Sequence, residues 1–360
     1  MRSVYVHIPF CKSICSYCDF CKFLYKDTWV NIYLDTLSKE IDKYYEGDTV
    51  KTIYIGGGTP SCLSIDNIHK LFKILRKIKM SNVYELTFEC NINDINKELL
   101  DTLSLYGVNR LSIGIESFNE KNLEFMNRKH SKKDIIDKIK LCRIHDFDNI
   151  NVDLMYALPT EKLWTVKKDL DEILKLNVEH ISTYSLIIED HTMLYYNKIK
   201  PIPEELDYKM YNYICKKLAK KGFHHYEVSN FAKPGYESMH NLTYWNNEDY
   251  YGFGLGSHGY VNQIRYENTR NFNKYIKEDF RLNELLVSNQ EEMENELILG
   301  LRKLDGINVN EFNKKFNNDI FNAFKIDEAL KKGYLKLKGE MLFIPESKIY
   351  VMNEIINMIM

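Results

Sequence analysis

Short β-type runs return every 25 to 50 residues along this chain, with amphipathic stretches between them. That alternation limits the fold most, because successive strand–helix–strand units build parallel sheets with helical crossovers. Strands are predicted at 3–8, 51–55, 84–90, 110–116, 150–156 and 180–187. Helical spacing is clearest over 29–45, where Val30, Tyr33, Leu34, Leu37, Ile41 and Tyr44 fall three or four apart, and recurs over 66–78 and 98–106. The pattern predicts an α/β fold, a partial (β/α)6 TIM barrel whose chemistry sits at the C-terminal ends of its parallel strands. After about residue 280 it changes to helices at 288–302, 309–316 and 325–332, a hairpin of 334–337 with 341–344, and a last helix. This predicts a small winged-helix-like α+β domain. Residues 291–360 carry 10 Lys/Arg against 12 Asp/Glu, so the module reads as a lid or packing domain and not a DNA binder.

Cys11, Cys15 and Cys18 form a CxxxCxxC run. Four thiolates saturate a cubane [4Fe-4S] cluster, and three leave one iron open. The amine and carboxylate of a methionine moiety suit that iron. The spacing therefore points to S-adenosylmethionine (SAM), whose sulfonium is cleaved after one electron enters it. Cys21 brings the count to four within eleven residues, so a zinc site or a disulfide knot remains open. Zinc sites usually pair two hooks well apart in sequence, and no second hook is present. Cys21 reads as a bystander, a redox spare or a fortuitous fourth thiolate. Cys62, Cys90, Cys142 and Cys215 are scattered and read as core residues.

Eight cysteines in 360 residues suit a reducing cytosol, and the expectation is a cytoplasmic protein. No apolar stretch reaches bilayer length, and the strand-like start leaves no room for a targeting peptide. A net charge of −2 leaves no footprint for nucleic acid.

Gly56-Gly57-Gly58-Thr59-Pro60 follows the second strand and permits close backbone approach to a ligand, or forms a plain turn. Glu89, Glu116 and Asp153 lie on or end strands, where a carboxylate is costly unless paired or bound. Ribose hydroxyls and the methionine amine are suitable donors. Arg128 suits the SAM carboxylate, and the bland alternative is an internal ion pair with Glu116. The aromatic-rich loop His240-Asn-Leu-Thr-Tyr244-Trp245 offers a histidine ligand and rings that stack on a macrocycle. The alternative is a structural loop with His240 bonded to backbone. His7 reads as a support for the cysteine loop, and His224 and His225 as surface or packing residues.

Several long runs together resemble one family. They are Tyr5 to Phe20 around the cysteines, GGGTPS at 56–61, Gly107 to Phe118, Asn151-Val-Asp153-Leu, and Tyr226 to Phe231. The chain is similar to the radical SAM haem chaperones (HemW), relatives of the oxygen-independent coproporphyrinogen III dehydrogenases (HemN), over nearly its whole length. The resemblance implies a [4Fe-4S] cluster on Cys11, Cys15 and Cys18. It implies SAM contacts from Tyr5, Tyr17, Gly57, Gly58, Thr59, Glu89, Glu116, Arg128 and Asp153. HNxxYW resembles the haem-associated motif, implying haem contacts from His240, Tyr244 and Trp245. Implied partners are haem, acceptor haemoproteins such as respiratory ones, and an electron donor such as flavodoxin or ferredoxin. The implied division is a core barrel over 1–235, a haem-motif region over 236–285 and a HemN-type domain over 286–360. Phe20 stands where the dehydrogenases carry a fourth cysteine, and few residues precede Tyr5, where they have a long extension. Both features resemble the chaperones. Three departures stand out: Glu116 replaces a common Gln, Ala157 a usual Gly, and Cys21 is an added thiol next to the cysteine loop.

Overall fold

The computed structural model describes residues 1–360. Six parallel strands carry the barrel: β1 (Arg2–Ile8), β2 (Thr49–Gly57), β3 (Lys79–Asn91), β4 (Arg110–Glu116), β5 (Ile150–Tyr156) and β6 (His180–Ser185). They pair in chain order, as the alternation requires. Between them run helices such as α1 (Asp27–Tyr44), α2 (Ile65–Leu75) and α3 (Lys97–Leu105). Ser64 and Asn96 cap α2 and α3 by accepting the N–H of Asn67 and of Leu99, which fixes where each helix starts.

Each inner strand sorts its side chains by the two-residue pleat. On β4, Leu111, Ile113 and Ile115 are fully buried under the helices, while Arg110, Ser112, Gly114 and Glu116 face the lumen cleft. On β5, Ile150, Val152 and Leu154 go outward, and Asn151, Asp153 and Met155 face the cleft. The barrel is therefore apolar outside and polar within.

The sheet continues past the six strands. The added strands are β7 (His224–Glu227), β8 (Asn230–Ala232), β9 (Tyr250–Phe253), β10 (His258–Val261), β11 (Ile264–Asn268) and β12 (Arg281–Leu286). The order is β12-β11-β10-β9-β1-β2-β3-β4-β5-β6-β8-β7, with ends that do not meet, so the barrel is open. β9 pairs parallel with β1, Ser3 facing Tyr250 and Val6 facing Phe253. Residues 250–286 thus supply four strands of the main sheet. The short helix α4 (Met239–Trp245) precedes β9 and crosses the N-terminal ends of the strands. It is fixed there by Ser3 Oγ to Thr243 Oγ1 (2.8 Å) and Thr52 Oγ1 to His240 Nδ1 (2.7 Å).

The C-terminal part holds helices Asn289–Gly300, Val309–Phe316 and Ile326–Lys331, the antiparallel pair Lys336–Lys338 and Met341–Phe343, and the closing helix Met352–Ile359. One apolar cluster runs from Val4 of β1 to Ile359, so this part packs on the barrel instead of hanging from it. Ala157, just after β5, has φ of 63°. Glycine is the natural residue for that conformation, and alanine there costs about 1–2 kcal/mol.

Candidate functional site

The three cysteines sit on the excursion between β1 and α1. Cys11 ends the short strand Phe10–Cys11, which pairs with Phe23–Leu24 and closes a loop carrying Cys15 and Cys18. The loop is held from several sides. Asn127 Nδ2 donates to the Ile14 carbonyl at 2.8 Å, Ser16 Oγ to the Phe125 carbonyl at 2.8 Å, and Lys12 pairs with Asp94 at 2.7 Å. His7 supports it too. Its Nε2–H donates to the Cys21 carbonyl at 2.7 Å, leaving Nδ1 to accept the Tyr5 hydroxyl at 3.0 Å. Burial pushes His7 down to about 4, which keeps the neutral ring this pairing needs.

Cys11, Cys15 and Cys18 line one cleft of about 500 Å³ that opens at the C-terminal ends of the strands. Tyr17, Gly57, Gly58, Thr59, Glu89, Glu116, Arg128 and Asp153 line it as well. Tyr5 does not. Its ring stacks on Tyr54 beneath His7, with centroids 6.0 Å apart, so it reaches the cleft only through neighbours. Cys21 also lies outside. Its Sγ is 3.9 Å from the Arg270 carbonyl, and a Cβ built on Gly256 falls 3.3 Å from it.

The donor set fits an iron–sulfur cube. Burial pushes the Cys11 thiol up to about 11 and raises Cys18, so stable thiolates need a bound cation. Three thiols on one loop at the cleft match the three-thiolate set that leaves one iron of a cube open.

The glycine run has a packing reason that the sequence did not show. A Cβ on Gly58 falls 2.8 Å from the Ile8 carbonyl oxygen and the Phe10 backbone. One on Gly57, at φ 112°, falls 2.4 Å from the His7 ring. The amides are taken as well: Gly57 N–H donates to Glu89 Oε2 (3.0 Å), Gly58 N–H to Ile8 (2.9 Å) and Thr59 N–H to Phe10 (2.8 Å). An amine ligand needs acceptors, so carbonyls of the run and the Glu89 carboxylate are what this corner offers.

The carboxylates are in place and partly engaged. Glu89 Oε1 accepts the Tyr54 hydroxyl at 2.7 Å, and burial pushes the group up to about 7. Asp153 Oδ1 accepts Asn151 Nδ2 at 2.9 Å. Glu116, at φ 60°, pairs with Arg128 at 2.5 Å, and Arg128 also donates to the Tyr17 hydroxyl at 3.0 Å. Arg128 thus makes the internal pair with Glu116 that the sequence offered as the bland alternative.

The HNxxYW run is a helix and not an open loop, and its histidine is enclosed. His240 is 1 % exposed, with Nδ1 bonded to Thr52 and Nε2 to the Tyr244 hydroxyl at 2.8 Å. Both nitrogens are occupied, so ligation of iron demands that one of these bonds break. Tyr244 packs edge-on against Tyr250, and Trp245 lies 5.9 Å from the Arg302 guanidinium. The expected haem-facing loop is corrected to a helix whose ring contacts are internal. Its N-terminus is bound by Glu85, which accepts Ser238 Oγ (3.1 Å), Met239 N–H (2.9 Å) and His240 N–H (3.2 Å). Sequence reasoning assigned no role to Glu85, nor to Asn151, Ser182 and Asn241, which also line the cleft. Asn151 had one available signal, its place two residues before Asp153 on the same face.

Residues 5–173 match the Radical SAM superfamily, and residues 287–347 match the HemN C-terminal domain. The chain is 40 % identical to the haem chaperone HemW of Lactococcus lactis, over 88 % of this chain and 85 % of the relative. It is 36 % identical to that of Bacillus subtilis, over 99 % of this chain and 98 % of the relative. The solved structure of coproporphyrinogen III oxidase (HemN) from Escherichia coli, a radical SAM enzyme by its description, superposes with a TM-score of 0.87. It covers 99 % of this chain and 89 % of its own at 20 % identity, a likeness of fold.

Proposed function

Because the chain belongs to the haem chaperone HemW family, we propose that it binds haem and hands it to acceptor haemoproteins, with a SAM-ligated [4Fe-4S] cluster in its barrel. The carrying observation is the single cleft that brings Cys11, Cys15 and Cys18 beside Arg128, Glu89 and Asp153 at the mouth of a polar lumen. In this reading the three thiolates hold the cluster, which supplies an electron and an open iron for SAM. Arg128 takes the methionine carboxylate, Glu89 the amine, and Asp153 the ribose. An external electron donor would reduce the cluster once bound. Phe20, 61 % exposed on the cysteine loop, offers no fourth thiolate of the dehydrogenase kind, which favours delivery over decarboxylation.

Two assays run side by side on the anaerobically reconstituted protein test this. The expected result is a Soret shift on haem titration, transfer of that haem to an apo-haemoprotein, and no conversion of coproporphyrinogen III with SAM and reductant. Conversion of coproporphyrinogen, without haem transfer, overturns the proposal in favour of the dehydrogenase.

Two further outcomes concern SAM. Glu116 competes with the ligand carboxylate for Arg128, so Glu116→Gln should tighten SAM binding by about tenfold, or about 1.4 kcal/mol. Unchanged or weaker affinity by calorimetry counts against that competition. Glu89 is protonated below about 7 and faces Tyr54, Asp153 and Arg110. A cationic ligand selects its ionised form, so binding releases a proton. Affinity for SAM should rise by up to roughly tenfold per pH unit towards about 7 and then level off. Glu89→Gln should flatten that slope.

A further inference from the structure

One guanidinium in the barrel makes no side-chain hydrogen bond, although the Glu89 and Asp153 carboxylates lie within reach of its charge. Arg110, the first residue of β4, is 2 % exposed and lies at the closed end of the lumen. Its Nε is buried without any hydrogen-bond partner. The carboxylates nearby are held by other groups: Glu89 by Tyr54 and Gly57, Asp153 by Asn151, Glu116 by Arg128, and Glu85 by the start of α4. A buried guanidinium nitrogen without a hydrogen-bond partner is disfavoured, and a ligand in the cleft can complete such a group. Arg110 lines the same cleft as the cysteines, together with Glu89 and Asp153, which it faces, and with the uncharged Ser112, Asn151, Ser182 and Asn241. The uncharged four add hydrogen-bonding capacity, while Glu89 and Asp153 already hold their hydrogen bonds with other groups.

The geometry points to Arg110 as an anion seat at the floor of the cleft, which takes a carboxylate arm of a ligand bound alongside the nucleotide. A guanidinium fork matches a carboxylate bidentately, and the enclosed lumen strengthens the pair. Arg128, beside Tyr17 near the mouth, is already assigned to the methionine carboxylate, so Arg110 serves a second anion. Two sources share this chemistry: a propionate of haem, which rests on the haem reading above, and a small free carboxylate.

The test compares the wild type with Arg110→Met and Arg110→Lys. Methionine keeps an unbranched apolar stem, and the change breaks no hydrogen bond of Nε, so the variant should fold; circular dichroism checks this. Haem and its dimethyl ester, whose propionates are blocked, are titrated into each protein. The wild type should prefer haem by tenfold or more. Arg110→Met should bring the two affinities within about twofold while leaving the ester unchanged, and Arg110→Lys should restore part of the preference. In parallel, melting temperatures are compared in sodium acetate and sodium chloride at equal ionic strength. If Arg110→Met keeps the full preference for haem, the propionate source is overturned. A stabilisation by acetate over chloride that Arg110→Met abolishes then supports the small-carboxylate seat. If neither probe depends on Arg110, the proposal falls. If haem binds no variant and not the wild type, the haem reading fails by itself, and the acetate comparison still decides the role of Arg110.

Discussion

Changing any one of Cys11, Cys15 and Cys18 to alanine is expected to lower iron content after anaerobic reconstitution by about tenfold or more, whereas Cys21→Ala retains it. The argument is positional. The three sulfurs border one cleft, on a loop pinned by Asn127, Ser16 and Lys12, while the fourth faces Gly256 and the Arg270 carbonyl. A cube held by two thiolates loses a covalent anchor, and no other cysteine borders the cleft at its cysteine loop to replace it. Iron per chain and the broad visible absorption of the cluster measure this directly. Full iron loading in the Cys15→Ala protein, or its loss on removal of Cys21, defeats the assignment.

The second large effect lies away from the cleft. Glu85→Ala should destabilise the protein by about 3 kcal/mol or more, since a buried carboxylate that accepts four donors, the Thr87 hydroxyl and three at the start of α4, leaves them unsatisfied when removed. Ser238→Ala removes one of those donors together with the cap that accepts Asn241 N–H, and should cost less, about 1 kcal/mol. Urea unfolding with matched slopes separates the two. A cost below about 1 kcal/mol for Glu85→Ala means that α4 is fixed mainly by its apolar and His240 contacts. Since α4 closes the lumen, the variant should also expose Asn241 and Arg110 to water.

What the sequence disclosed was local or periodic. The outward residues of β4 and β5 follow the pleat, so the strands at 110–116 and 150–156 were legible to their ends. The cysteine spacing and the strand-end carboxylates were legible too, because covalent chemistry and the cost of burying charge attach to single residues. The hidden parts depend on partners far along the chain. His240 is closed off by Thr52, 188 residues earlier, and α4 is docked by Glu85, about 150 residues earlier. No local pattern encodes either pairing, and an aromatic-rich run beside a histidine reads equally as a ligand loop or a packed helix. The extension of the sheet by β9 was hidden for the same reason: alternating strands and helices do not say which late strand returns to lie against β1. Arg110 was visible in the motif at 107–118, but its lack of a hydrogen-bonded partner emerges only once every nearby carboxylate is seen to be engaged elsewhere.

The lateral pairing of β1 with β9 has a consequence for biogenesis. Tyr250 is synthesised 247 residues after its neighbour Ser3, so at 5–20 residues per second the first strand waits on the order of 10–50 s on the ribosome with one side open. The cysteine loop emerges early, but the wall that backs it is completed late. The last strand against β1 therefore joins the sheet only after most of the chain has left the ribosome.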